Sequence, residues 1–382
     1  MKVIRQTTSQ NFFGQGRSSD FAVVSSDRSA IVENRIRKLI ITLLIFCFFI
    51  PILRAQKAKF QDDHDTSYYS TYRSMLTARA YLSRKYNVLS FNPPAPAPSF
   101  QYRATTSLNL GIGATYHAIT VNIGFGISKF NPDNEKGNTK YLDLQGHFYA
   151  RKWNVDLLGE FYKGLYLTPE GLAAPTGDKF YLRPDMGLSL IGFAFYRALN
   201  EKKFSYQAGL LQNEWQKKSA GSILIGGEIY YGAIRGDSTL MPTIIDPKAS
   251  ALAINKFHFF SFGPGVGYAY TFVIKEHFFI LGSATINLAF RYSTEISTPN
   301  DEHASHFGFR PNYILHVGAG YNSNKWDLSV LWVDTELFMK GQSTDYSYTI
   351  GVGNYRLIYA RRFNLDRKTK KILSPIPEII GQ

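Results

Sequence analysis

Ser107-Leu-Asn-Leu-Gly-Ile-Gly-Ala-Thr-Tyr116-His117-Ala118-Ile119-Thr-Val-Asn-Ile-Gly-Phe-Gly-Ile-Ser128 is the stretch on which the fold turns. Leu108, Leu110, Ile112, Ala114 and Tyr116 fall on one face of an extended chain, with Asn109, Gly111, Gly113 and Thr115 on the other. After His117 the alternation resumes, with Ile119, Val121, Ile123, Phe125 and Ile127 against Thr120, Asn122, Gly124, Gly126 and Ser128. Successive side chains of a strand point to opposite faces, so this period of two predicts a hairpin with one apolar face.

The same pattern spreads in both directions. Apolar faces recur at Trp153, Val155, Leu157 and Phe161, at Phe278, Ile280, Ile286, Leu288 and Phe290, and at Tyr313, Leu315, Val317, Ala319 and Tyr321. Soluble sandwiches alternate too, but their strands are usually about five or six residues long. These segments run to roughly 10–18 residues, the scale of tilted strands that cross a bilayer. Aromatics mark the segment ends: Tyr116, Trp153, Tyr321 and Trp326 beside short turns, Tyr166, Tyr292 and Phe338 beside long loops. In water a ring of outward apolar faces invites aggregation, whereas in lipid it is the solvent-facing surface. The expected fold is all-β: a transmembrane, antiparallel, up-and-down β-barrel.

Barrels of the outer membrane pair short periplasmic turns with longer external loops and, in bacterial single chains, an even strand number. Short turns fall near residues 117, 152, 199–202, 274–276 and 323–325. Long polar or Pro/Gly-rich loops fall at 92–100, 129–139, 167–182, 235–256, 293–308 and 339–345. With Met75 to about Phe91 as the first strand, the count is about 12. Residues 203–234 then serve as one long strand, whose apolar phase slips from Phe204, Tyr206, Ala208 and Leu210 to Ile223, Ile225, Ile229 and Tyr231. Such a slip needs one inserted residue, a β-bulge, within Gln216–Gly221; a tight external hairpin there is the alternative.

The 382 residues include 25 Tyr, 29 Phe and 31 Gly, with 45% hydrophobic and 19% charged residues, which excludes a disordered chain. A mean hydropathy of −0.17 and one long apolar run exclude a polytopic helical membrane protein. That run, Leu39–Leu53 after Arg35, Arg37 and Lys38, reads as a signal peptide cleaved between Ala55 and Gln56. The expected organisation is an N-terminal extension and leader (1–55), a periplasmic lead (56–74), the barrel (75–363) and a periplasmic tail (364–382). Cys47 is the single cysteine and lies mid-run after Phe46, which excludes a disulfide framework and disfavours lipidation. The formal charge is +14, and on an exported chain a basic excess suits anionic head groups or an anion-favouring lumen rather than nucleic acid.

Tyr81-Leu-Ser-Arg-Lys-Tyr86, Leu108–Ala114, Gln216-Lys-Lys-Ser-Ala-Gly-Ser222 and Gly263-Pro-Gly-Val-Gly-Tyr-Ala-Tyr-Thr-Phe272 together resemble an uncharacterised family of Bacteroidota outer-membrane β-barrel proteins, a domain of unknown function. The resemblance covers nearly all of the exported chain. It implies a barrel fold and an outer-membrane location in a Gram-negative cell, with no activity and no catalytic residues to carry over. The terminal Tyr359-Ala-Arg-Arg-Phe363 is similar to the final strand of outer-membrane barrels, whose assembly machinery is the implied partner during insertion.

Alternation places Asp156, Glu160, Glu228, Arg291 and His316 on inward faces. Buried charges need partners, so these residues either form an interior network or line a pore that selects among solutes. The inward Gly111, Gly113, Gly124, Gly126, Gly318 and Gly320 permit curvature or accept a bulky neighbour. Lys217 and Lys218 are candidate contacts for lipopolysaccharide phosphate, or simply a charged bulge. Asp62-Asp63-His64-Asp65 carries divalent-cation ligand types but reads as a solvated periplasmic linker, and the loop Asp301-Glu-His-Ala-Ser-His306 sets two His three apart without helix spacing or a third fixed ligand, so no metal site is expected. Ser283 and Ser329 face inward with no His close in register, and no phosphate loop, dinucleotide fingerprint or zinc-protease motif is present. No enzymatic role and no cofactor are therefore expected. The expected function is a passive, porin-like channel or transport-associated barrel for small solutes. The alternatives are a closed barrel whose external loops bind lipopolysaccharide, glycan or protein, and a membrane-embedded lipid hydrolase. Oligomeric state is left open.

Overall fold

The computed structural model describes residues 64–116, 119–127 and 134–366. The leader, Cys47, the Ala55/Gln56 cleavage, Asp62, Asp63 and most of the C-terminal tail lie outside the described residues.

Fifteen strands and two short helices follow one another among the described residues. They are β1 (Tyr69–Thr71), β2 (Met75–Asn92), β3 (Phe100–Ala104), β4 (Leu108–Tyr116), β5 (Ile119–Gly126), β6 (Lys140–Tyr149), β7 (Trp153–Thr168), β8 (Leu182–Ala198), α1 (Tyr206–Leu210), β9 (Glu214–Gln216), β10 (Ala220–Arg235), α2 (Pro247–Ala251), β11 (Lys256–Ile274), β12 (Phe278–Ser297), β13 (Glu302–Asn322), β14 (Trp326–Lys340) and β15 (Ser347–Asn364). All pairings are antiparallel. A closed circuit runs β2–β3–β7–β8–β10–β11–β12–β13–β14–β15 and back to β2. The closing ladder extends from Ser347↔Asn92 to Asn364↔Met75, which removes the sheet edges of both strands along their whole length.

Ten strands thus close the barrel, not the expected twelve, and β4, β5 and β6 are additions to its wall. The reason lies at residues 105–107. Above them β3 bridges β2 and β7, with Gln101↔Thr168 on one side and Ser90↔Gln101 on the other. Thr105 then leaves the ladder: its backbone N–H donates to Thr139 Oγ1 (2.8 Å) and its hydroxyl to the Lys136 carbonyl (3.0 Å). Below that point β4 stays on β2 but turns its other edge to β5, while β6 adds to β7. No ladder joins β5 to β6 among the described residues.

Alternation in burial follows alternation in sequence. Along β12, Phe278, Ile280, Ile286, Leu288 and Phe290 are exposed, whereas Ser283, Thr285, Asn287 and Arg291 are buried. An apolar exterior around a part-polar interior is the pattern lipid requires. Gly111 shows why the inward glycines are small: a Cβ there would lie 2.1 Å from the ring of Tyr81, which crosses from the neighbouring strand. Tyr166 departs from the expected rim girdle; it is buried and packs edge-on against Phe180 at 5.2 Å.

Residues 203–234 do not form one bulged strand. The chain leaves β8, folds inward as α1 and β9, and only then resumes the wall as β10. Phe204, Tyr206, Ala208 and Leu210 alternate in sequence, yet Gln207 and Gly209 between them are buried too. A segment inside the lumen has no lipid face, so alternation there carries no strand signal. Ser205 caps α1, accepting from the Ala208 N–H at 3.0 Å. The bulge occurs elsewhere, at Gly164, whose φ of +89 suits glycine and where a Cβ would meet the Asn138 carbonyl oxygen at 2.4 Å.

Candidate functional site

Two plugs divide the interior. At the long-loop end the connection 236–255 folds in, burying Leu240, Met241, Ile245 and Ile254 against Phe91, Phe257 and Tyr348. Arg183 and Tyr102 hold it by donating to the Thr239 carbonyl (2.7 Å) and the Leu240 carbonyl (3.1 Å). Asp246 caps α2, accepting from the Ala249 N–H (3.0 Å) and from the Tyr346 hydroxyl (2.9 Å). The Ala249 N–H, donating to it, holds its carboxyl below the ordinary carboxylate range.

At the short-turn end, Phe204, Tyr206, Leu210 and Leu211 pack against Tyr149, Ala269, Phe279 and Leu281. A helix C-terminus leaves carbonyls unpaired, and arginines take them here. Arg79 donates to the Leu211 carbonyl (2.7 Å), and Arg362 to the carbonyls of Gln212 (2.5 Å) and Glu214 (3.1 Å). Burial pushes the Glu214 carboxyl above its usual range, although the Ser205 hydroxyl donates to it.

Between the plugs lies a polar belt. All five residues expected on inward faces are there, and the structure says what each meets. Glu228 and Arg291 are joined through a third side chain: Asn312 Nδ2 donates to Glu228 Oε1 (2.5 Å), and Arg291 Nη2 donates to Asn312 Oδ1 (2.7 Å). Glu160 accepts from Asn87 Nδ2 at 3.0 Å. Asp156 Oδ1 contacts His147 Nδ1 and accepts from the Tyr149 hydroxyl, each at 2.6 Å. His316 Nδ1 lies 2.9 Å from the Tyr206 hydroxyl, itself 2.8 Å from Ser283 Oγ.

That last contact corrects the expectation that no His stands near Ser283. Ser283 and His316 are direct partners across the β12–β13 ladder, a register that follows once the turn is placed at residues 298–301. With β13 beginning at Glu302, His303 and His306 are three apart on a strand and face opposite ways, so the pair cannot share a metal ion. Among the described residues there is no group of three His, Cys, Asp or Glu that could hold one.

Lys217 and Lys218 sit at the short-turn end, not on a bulge or an external hairpin. Their backbone N–H groups donate to the Tyr68 carbonyl (2.7 and 3.2 Å), and the Lys218 ammonium lies 5.5 Å from the Tyr68 ring centroid. The Lys217 ammonium donates to the Thr66 carbonyl. They fasten β1 to β9 at the barrel mouth.

A cavity of about 290 Å³ adjoins the belt, bounded by β5, β6, β14, β15 and the end of α1; Asn122, His147, Tyr149, Asn354 and Arg356 line it. A separate void of about 40 Å³ shares His147, Val333 and Asn354 with its lining and is bounded also by Asp156 and His316. Tyr206, Asn312, Arg79 and Arg362 were not legible as site residues. Alternation marks Asn312 only as one inward position among many, and it carries no information on a segment that leaves the wall.

The family described as Domain of unknown function (DUF4421) matches residues 63–363. No curated protein matches the chain. Among solved structures, the outer membrane protease OmpT from Escherichia coli shares 8% identity over 77% of this chain and 98% of that one, with a TM-score of 0.37. The outer membrane protein OprG from Pseudomonas aeruginosa shares 9% over 79% and 100%, with 0.23. The toluene transporter TodX of Pseudomonas putida shares 8% over 76% and 90%, with 0.27. The chain is similar to outer-membrane barrels in architecture, and at these scores none carries residues or activity to it. The expectation of a non-enzymatic chain is nonetheless corrected: an outer membrane protease stands among the similar structures. No catalysis is assigned by that likeness.

Proposed function

The chain belongs to the family of the domain of unknown function DUF4421, and we propose that it is an outer-membrane barrel closed at rest, which passes or hands on a small solute only when a plug moves. The observation that supports this is the filling of the lumen from both ends, by residues 204–216 and by the connection 236–255. In this reading apolar clusters obstruct both ends, so a standing passive channel is disfavoured. In this reading the short turns face the periplasm. Lys217 and Lys218 then lie away from lipopolysaccharide, and the basic rim holds the inward segment in place.

Single-channel recording in planar bilayers tests the reading. Wild type is expected to be silent, and a variant with both residues 206–211 and residues 240–252 replaced by Gly-Ser linkers is expected to show discrete steps. Steady conductance of folded wild type at low voltage overturns it.

A second reading, a membrane-embedded hydrolase, is favoured by one arrangement: Tyr206 links Ser283 to His316, and Asp156 holds His147 across the small void. A nucleophile needs a base within hydrogen-bond reach, and here the hydroxyl of Tyr206 intervenes. Release of label from phospholipid by wild type but not by Ser283→Ala supports this reading; equal release by both defeats it.

A further inference from the structure

We infer that the barrel has a lateral doorway between β5 and β6, through which an amphiphile with an anionic head group passes from the bilayer into the cavity behind it. This inference rests on the closed-lumen reading, because a lumen plugged at both ends leaves the wall as the way in.

The doorway is a fork in the sheet. Its apex is the contact of Ser107 Oγ with the Tyr141 hydroxyl at 3.1 Å, just below the point where β3 stops bridging β2 and β7. From there β4 and β5 follow β2, β6 follows β7, and no ladder spans the gap among the described residues. On β12, by comparison, the inward residues are sealed: Ser283, Thr285 and Asn287 are at most 5% exposed. On β5 the inward Asn122, Gly124 and Gly126 are exposed, as are the outward Val121, Ile123 and Phe125. On β5 the exposure of both faces, together with the missing ladder to β6, marks an open wall. Across the fork β6 presents Leu142, Leu144 and Phe148 outward, so both lips are apolar. Unpaired strand edges inside a bilayer are costly unless they line a cavity or are shielded, and these edges line one.

The chemistry of the occupant follows from the cavity wall. Leu210, Leu211, Leu331 and Val333 supply apolar surface for an acyl chain, and a volume of about 290 Å³ is at the lower end of small-ligand sites. The charge facing it is Arg356. The nearby carboxylates are spoken for: Asp156 by His147 and Tyr149, and Asp143 by Lys85 and by the Tyr162 hydroxyl. Arg356 lies over the ring of Tyr81 at 5.2 Å and forms no ion pair among the described residues. Its Nε is buried without a hydrogen-bond partner. A buried donor of a cation left unsatisfied is costly, and a carboxylate or phosphate head group would satisfy it. An uncharged amphiphile would not.

The test uses the full chain refolded in nanodiscs of zwitterionic lipid, with empty discs subtracted. Labelled laurate is expected to bind saturably and to be displaced by lauryl phosphate, but not by lauryl alcohol or inorganic phosphate. Arg356→Gln should weaken laurate about tenfold, the value of one charge-assisted hydrogen bond, and Arg356→Lys should restore part of it. Displacement by lauryl alcohol as strong as by lauryl phosphate overturns the anionic head group, and displacement by inorganic phosphate overturns the acyl chain. The route is read separately in a Cys47→Ser background, with bimane attached at Asn122→Cys and, as a lipid-facing reference, at Leu288→Cys. Acyl-brominated lipid should quench both; a bright Asn122 probe beside a quenched Leu288 probe overturns the doorway. Conductance by wild type would defeat the closed-lumen reading alone, whereas failure of laurate to bind a silent barrel defeats this inference alone.

Discussion

Replacing Asn312 by Leu should destabilise the barrel more than its neutral side chain suggests. Asn312 is fully buried and joins two charges: it donates to Glu228 Oε1 at 2.5 Å and accepts from Arg291 Nη2 at 2.7 Å and from the Phe338 N–H at 3.2 Å. Glu228 Oε2 and Arg291 Nε already have no partner, so neither charge has bonds to spare. Each hydrogen bond to a charged group is worth about 1.5–3 kcal/mol, and breaking a buried ionic network by removing one member costs about 3–5 kcal/mol. Asn312→Leu is therefore expected to lower the unfolding free energy by about 3–5 kcal/mol. Adding Glu228→Leu and Arg291→Met should recover most of that loss, because a buried ionic set replaced whole by apolar side chains is often neutral. The assay is urea unfolding of protein refolded in phospholipid vesicles, followed by tryptophan fluorescence and by the heat-dependent shift in gel mobility. A single variant within about 1 kcal/mol of wild type would mean that Glu228 and Arg291 meet each other directly, and the bridging role of Asn312 would be refuted. A triple variant no more stable than the single one would refute the account equally.

Three further outcomes are expected. Asp246→Ala should loosen the outer plug by about 1 kcal/mol, seen as faster amide exchange over residues 240–255. Because the folded-state pKa of Asp246 is lowered, its contribution is complete above the ordinary carboxylate pKa of about 4 and is lost as pH falls through the lowered value, so exchange in wild type should rise only in acid and the variant should lack that rise. Gly226→Ala would place a Cβ 1.8 Å from the Phe195 carbonyl oxygen and should block refolding, whereas Gly282→Ala, with nothing within 4 Å, should change stability by less than about 0.5 kcal/mol in the same urea titration. Arg362→Gln removes donors to the Gln212 and Glu214 carbonyls and should raise amide exchange over residues 205–216 while leaving that of β12 unchanged; equal exchange in both segments would show that the inward segment is held by packing alone.

Sequence by itself determined the wall. In a barrel each residue faces either lipid or lumen, so a period of two marks the spanning stretches of the wall and their two faces, with Asp156, Glu160, Glu228, Arg291 and His316 on the inward one. Turn residues at 274–276 and 323–325 likewise place the hairpins, because tight turns demand local chemistry. Only tertiary structure decided the interior. Residues 203–219 read as a strand because Phe204, Tyr206, Ala208 and Leu210 alternate, but once a segment enters the lumen all its sides are buried and the pattern loses its meaning. Strand count failed for a related reason: whether β5 and β6 pair depends on where Thr105 sends its hydrogen bonds, to Thr139 and Lys136, and no local pattern encodes a choice between partners so far along the chain. The pairings within the belt belong to the same class. Ser283 meets His316 by the register of the β12–β13 hairpin, set once the turn falls at 298–301, whereas Glu228 reaches Arg291 through Asn312 across three strands of the curved sheet, and Tyr206 reaches Ser283 and His316 only because its segment enters the lumen.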